Sequence, residues 1–283
     1  MKYIDKSGTI SQGHTLTDNY LESTCRVEDE NGHYHYQNVD YGGSFGSTGA
    51  KDNMQRLALK SQDNFCCYCM RDLQQQEQCV TLEHIIPQNC TEAEFNNYIE
   101  QNIAPLTSQK VIMTERFRKI PDVQVPPRPH TVTFENIVAS CDGTFPDKKG
   151  TSQCCNNHRG QKRVFPLFYV KGIEDEISYM QDGTMQPKTN CTYFIEYRQT
   201  IGNAGLNCPN LKDIRRLWHL FADVAYDELV ACVHNKDQRV KILMKVLFQD
   251  RRQAKQDNKI LSNFTKDAYW RIFLLYHWFH HKL

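Results

Sequence analysis

The chain has 283 residues, of which 40% are apolar and 24% charged. That balance belongs to ordinary globular proteins and excludes disorder over most of the length. The formal net charge of +1 excludes bulk attraction to nucleic acid. The charge is unevenly spread, however, with three basic and seven acidic groups in residues 1–50 and fourteen basic and eight acidic in residues 212–283. A basic working face is therefore still open. No run of 18 apolar residues occurs, and the start, MKYIDKSGTISQGH, lacks the apolar stretch of a secretion leader. The expectation is a cytoplasmic protein without a membrane partner.

Residues 1–41 are polar and show little helical periodicity. They read as a surface extension with a short irregular or β segment, HYHYQNVDY, or as a docking strip. Residues 42–50, GGSFGSTGA, read as a flexible linker. Met54, Leu57 and Ala58 fall at helical spacing and predict a short helix over 51–62. Residues 66–165 hold most of the chemistry, interrupted by a long polar insertion at 90–135. The runs VFPLFYV and TYFIEYR in 164–208 read as short strands between turns. Residues 211–234 carry an amphipathic stripe (Ile214, Leu217, Trp218, Phe221, Ala225, Leu229), and 236–252 and 266–281 read as two further helices. The expected division is an extension and linker over 1–50, a core over 51–165, and a mixed, then helical, region over 166–283.

Twelve cysteines are present. Without a secretion leader, clustered cysteines point to metal rather than disulfides. Cys66 and Cys69 form C-x-x-C, a spacing that lets one tight turn offer two thiolates to zinc. A thioredoxin-like redox pair is the rival reading, but no βαβ pattern surrounds it. The second cluster is Cys141 with Cys154 and Cys155. The assigned zinc quartet is Cys66, Cys69, Cys141 and Cys155, with Cys154 an alternative to Cys155 and Cys67 a spacer.

Between the clusters stands TLEHIIPQN, with Glu83 beside His84. Asn136 follows in FENIVASC and Asn156 in CCNNHRGQK. A carboxylate, an imidazole and an amide are the groups needed to hold a hard cation and activate water. In order, the chain reads CCYC at 66–69, EHIIP at 83–87, NI at 136–137 and CNNHRG at 155–160. This resembles the HNH endonuclease family, whose pattern is C-x-x-C, acidic-His-Ile-x-Pro, Asn-Leu, then Cys-Asn-x-x-Lys-Gly. The resemblance covers about 100 residues, 66–165.

The resemblance implies an α+β fold with a ββα-metal core braced by a zinc knuckle and a mainly helical C-terminal region. It makes His84 the general base. Glu83 and Asn156 become the ligands of a catalytic Mg2+ or Mn2+, with His158 an alternative ligand. Asn136 would hold the metal loop or orient the imidazole. Arg159, Lys162 and Arg163 become candidate phosphate contacts, with Lys148 and Lys149 beside them. Two departures stand out: thirteen residues separate Cys141 from Cys155 where the family has two, and Glu83 replaces the commoner Asp. The motif set is also similar to HNH subunits of bacterial antiphage systems of the Septu type, also found beside retrons, which work with an ABC-class ATPase. The expected partners are therefore nucleic acid, DNA before RNA or transfer RNA, and such an ATPase. The rival expectation is a non-catalytic zinc module that binds nucleic acid or protein.

Overall fold

The computed structural model describes residues 1–71, 73, 80–100, 128–144, 153–212 and 215. Among these the chain mixes helices with three two-stranded antiparallel sheets, in keeping with an α+β class. The expected helices at 236–252 and 266–281, and nearly all of that at 211–234, lie outside the described residues. So do Lys148, Lys149 and most of the 90–135 insertion.

The N-terminal segment departs from the sequence reading. Helix α1 spans Ile10–Tyr20 and buries Gly13, Thr17 and Tyr20. These fall at i, i+4 and i+7, so the buried face is helical in spacing but not apolar in composition. A stripe of Gly and Thr carries no hydrophobic periodicity. It works here because Gly13 lies against the Phe134 ring, where a Cβ would collide. Thr17 Oγ1 lies 2.9 Å from the Val132 carbonyl, and Asp18 takes a two-pronged ion pair from Arg128, each contact 2.5 Å. After α1, strands β1 (Arg26–Glu28) and β2 (Tyr34–Tyr36) form a small hairpin.

The glycine-rich 42–50 segment is an ordered turn rather than a flexible linker. The Asp40 carboxylate accepts hydrogen bonds from the Gly42 and Gly43 backbone N–H groups at 2.9 Å. Phe45, in the short helix α2 (Ser44–Ser47), is fully buried between Tyr20 and Tyr41. Residues 1–50 therefore share one hydrophobic core with the later elements of the chain, and they are not a surface extension. Helix α3 spans Ala50–Ser61 and buries Met54 and Ala58, as the spacing predicted.

Strands β3 (Val80–His84) and β4 (Ile137–Cys141) pair antiparallel, with Glu83 opposite Val138 and His84 opposite Ile137. All five β4 residues are buried. On the side of β4 away from β3, the Gln62 side chain substitutes for a strand. Its Nε2 donates to Ala139 O at 2.8 Å and its Oε1 accepts from Ala139 N at 2.7 Å. Helix α4 (Glu92–Tyr98) follows β3 and starts in a Thr91–Glu94 capping box, which satisfies two otherwise orphan N–H groups. Helix α5 (Cys155–Arg159) packs on β4, completing a strand–strand–helix unit.

The two runs read as strands behave otherwise. VFPLFYV is buried at nearly every position around a 3-10 turn at Leu167–Tyr169, and Pro166 denies it a ladder donor. Of TYFIEYR, Phe194 onward belongs to helix α6 (Phe194–Asn203), which buries Tyr197, Thr200 and Ile201. The third sheet pairs β5 (Ile177–Tyr179) with β6 (Met185–Pro187). Among the described residues no helix is long and apolar enough to cross a membrane.

Candidate metal centre and adjoining cleft

Cys66, Cys69, Cys141 and Cys155 converge, all buried, with their sulfurs within 4.8 Å of one another. The Cys66–Cys155 and Cys69–Cys141 separations are 3.8 and 3.6 Å. A tetrahedral zinc with bonds of about 2.3 Å needs sulfurs about 3.8 Å apart. The donor set and spacing thus fit a zinc-like cation.

The local chain explains the convergence. Residues 66–71 form a tight turn closed by Met70 N–H to Cys66 O at 3.0 Å and Cys66 N–H to Arg71 O at 2.8 Å. Cys141 ends β4, and its backbone N–H donates to the Cys66 sulfur at 3.3 Å. Burial raises the Cys69 and Cys155 thiols well above their ordinary range. Cys66 is held low instead: burial opposes its ionisation, but the Cys141 and Cys155 thiols donating to its sulfur outweigh that. A cation is what would let all four ionise in a dry pocket.

The thirteen-residue gap before Cys155 costs the site nothing. The chain leaves at Gly143 and returns at Cys154, whose N–H donates to Gly143 O at 3.4 Å. The excursion is pinched shut, and Cys155 arrives beside Cys141. Of the two candidates, Cys155 joins the quartet, while the Cys154 sulfur lies 3.5 Å from that of Cys155 and 3.9 Å from Gly143 O.

A cleft of about 320 Å³ adjoins this centre, and Glu83, His84 and Asn156 all line it, together with Gln88 and Arg159. His84 sits at the end of β3, 6% exposed. Its Nε2 lies 2.8 Å from Thr131 O. A carbonyl only accepts, so Nε2 carries the proton and Nδ1 the lone pair. Gln88 Nε2 donates to that Nδ1 at 3.1 Å, and the Tyr41 ring packs edge-on against the imidazole at 4.5 Å. Burial lowers the His84 pKa to about 4, so the ring is neutral at neutral pH.

Asn136 is fully buried and does not line the cleft. Its Oδ1 accepts from Ile86 N at 2.7 Å, and its Nδ2 donates to Ile86 O at 3.0 Å and His130 O at 2.9 Å. It ties the chain just after His84 to the segment whose Thr131 carbonyl orients His84.

Two sequence expectations need correction. Arg159 is not a surface phosphate contact. It is 3% exposed, its guanidinium pairs with the Glu83 carboxylate, and it donates to His84 O, Ile85 O and Lys162 O at 2.6, 2.9 and 3.1 Å. His158 is not placed as a cleft ligand either: its ring lies over Gly205, and it is not among the lining residues. Lys162 and Arg163 are exposed beside the cleft residue Gln161. Sequence reasoning misses Gln88, although it lies four residues after His84 within EHIIPQN. Tyr41 and Thr131 leave no signal in the sequence, since one contributes a ring face and the other only a carbonyl.

No protein-family model matches the chain, and no curated protein matches it.

Proposed function

We propose that this protein is a metal-dependent HNH-type nuclease that hydrolyses phosphodiester bonds, with DNA favoured and RNA, including transfer RNA, next. The observation that supports it best is one cleft lined by Glu83, Asn156 and a neutral His84 whose tautomer is set by Thr131 O. Such an imidazole takes a proton from water at Nδ1. Gln88 bonds that nitrogen in this structure, so the attacking water takes the place of the Gln88 amide. Glu83 and Asn156 would hold Mg2+ or Mn2+, whose chemistry when bound is to polarise the scissile phosphate and stabilise the leaving oxygen. One carboxylate plus an amide oxygen suits Mg2+, which commonly completes its shell with water and substrate phosphate. Exposed Lys162 and Arg163 supply salt-dependent, sequence-independent phosphate contacts.

The proposal extends to an effector role in an antiphage system with an ABC-class ATPase partner. Its support is the sequence resemblance, together with the lack of a phosphate-loop glycine motif in this chain. The Arg159–Glu83 ion pair favours the rival reading, a non-catalytic zinc module, because it occupies the carboxylate that a cation would need.

The test is cleavage of plasmid DNA and bulk transfer RNA with Mg2+ or Mn2+, by wild type and by His84→Ala, with and without the ATPase captured from the host. Cleavage by wild type alone, with equal zinc content in both proteins, is expected. No cleavage by the zinc-loaded wild type under either condition selects the rival.

A further inference from the structure

Arg159 and Glu83 form an ion pair inside the candidate cleft, each residue 3% exposed. Of the described side chains lining that cleft, only these two carry a formal charge, since His84 donates its Nε2 proton to Thr131 O and its Nδ1 accepts from the Gln88 amide. The lining charge therefore sums to zero. Arg159 is not free to swing away, because its other donors are held by the His84, Ile85 and Lys162 carbonyls. A divalent cation approaching Glu83 meets a carboxylate already neutralised and a fixed positive charge beside it. The negative charge it still needs is what a phosphodiester brings.

We propose that Arg159 is a positioning residue that holds Glu83 and zeroes the charge of the cleft, so that a divalent cation binds only together with a phosphodiester. This rests on the nuclease reading. The coupling is reciprocal: nucleic acid tightens the cation, and the cation tightens nucleic acid by the same factor. A free protein would then carry no metal in the cleft. Arg159 acts through Glu83 and the His84 backbone rather than on substrate, which explains why a basic residue at this position is turned inward.

The experiment measures Mn2+ binding by the loss of the free-ion paramagnetic resonance signal, in a His84→Ala background so that the probe stays intact. The probes are a short DNA duplex and the matching RNA duplex. Glu83→Gln with the same probes gives the Mn2+ held by nucleic acid alone. Mn2+ binding about tenfold tighter or more with one of the probes than without is expected. Arg159→Met should bind Mn2+ without nucleic acid about tenfold tighter than its parent, and Arg159→Lys, which keeps the charge, should retain the coupling. A purely structural Arg159 predicts weaker Mn2+ binding in Arg159→Met, not tighter. Zinc content reports folding of each variant, and if Arg159→Met loses zinc, the comparison with and without probe still decides. Equal Mn2+ affinity with and without both probes overturns the inference and leaves the nuclease reading standing. No Mn2+ above the Glu83→Gln background in any protein overturns both.

Discussion

Asn136 shows how one buried amide organises a site it does not enter. Three backbone groups from two chain segments end on it, and both segments reach His84. Asn136→Ala leaves those groups buried and unpaired, at a cost of about 3 kcal/mol. Urea unfolding should show that loss, and under the proposed nuclease reading cleavage should fall with it as His84 loses its support. Lys6 is a second such residue. It is buried, and its ammonium donates to Phe134 O and Ile137 O at the start of β4 while lying over the Phe134 ring. Burial lowers its pKa from 10.5 to about 7. Between those values the unfolded chain holds a proton that the folded chain lacks, so this group makes stability rise with pH across the window. The stability difference between wild type and Lys6→Met should shift in favour of wild type by up to about 2 kcal/mol from pH 7 to pH 9. Paired urea titrations at the two pH values measure it, and a constant difference would refute the assignment.

At the scale of elements, the β4-to-α5 connection determines whether four cysteines can meet. Gly143 has φ +80, and a Cβ there would run into the Cys154 carbonyl. Gly143→Ala combines a backbone penalty with a collision at the pinch that delivers Cys155. Loss of roughly 2 kcal/mol or more is expected, together with faster release to a chelator of zinc loaded on the four cysteines, because metal binding and folding are coupled at such sites. A variant that keeps both its melting temperature and its zinc would show that the pinch is dispensable. The helices carry a related lesson. α3 is legible because Met54 and Ala58 are apolar at helical spacing. α1 is not, because Gly13 and Thr17 make its contacts through close approach and a hydroxyl bond. α6 reads as a strand because a short aromatic run looks alike in both periods.

At the scale of the whole molecule, residues 1–50 are part of the core that carries the cleft. Met1, Ile4, Tyr20, Leu21 and Phe45 are buried in it, His14 pairs with Glu135 next to Asn136 at 2.6 Å, and Tyr41 packs on His84. A chain beginning at residue 51 would expose the faces these residues cover. It is expected to be insoluble or to lack a cooperative thermal transition, measured by calorimetry. A soluble, cooperatively melting product with full zinc content would mean that the N-terminal segment is peripheral after all.

The α+β class was implied by the family resemblance, whereas residue types and their spacing by themselves marked the cysteines able to meet at one centre, with Cys154 and Cys155 both open. They also marked Glu83, His84 and Asn156 as one chemical set. These are local matters: a C-x-x-C turn presents two sulfurs whatever surrounds it, and each residue type carries its own donor chemistry. Only the tertiary structure decided that Arg159 faces Glu83 instead of solvent, that Asn136 does its holding through the Ile86 and His130 backbone, and that the polar N-terminus is inside. Those outcomes depend on which groups are removed from water together. A guanidinium can enter a dry interior only where a carboxylate and free carbonyls await it. For Arg159 the Glu83 carboxylate and the His84 and Ile85 carbonyls stand on β3 and just after it, 74 to 76 residues away in the sequence.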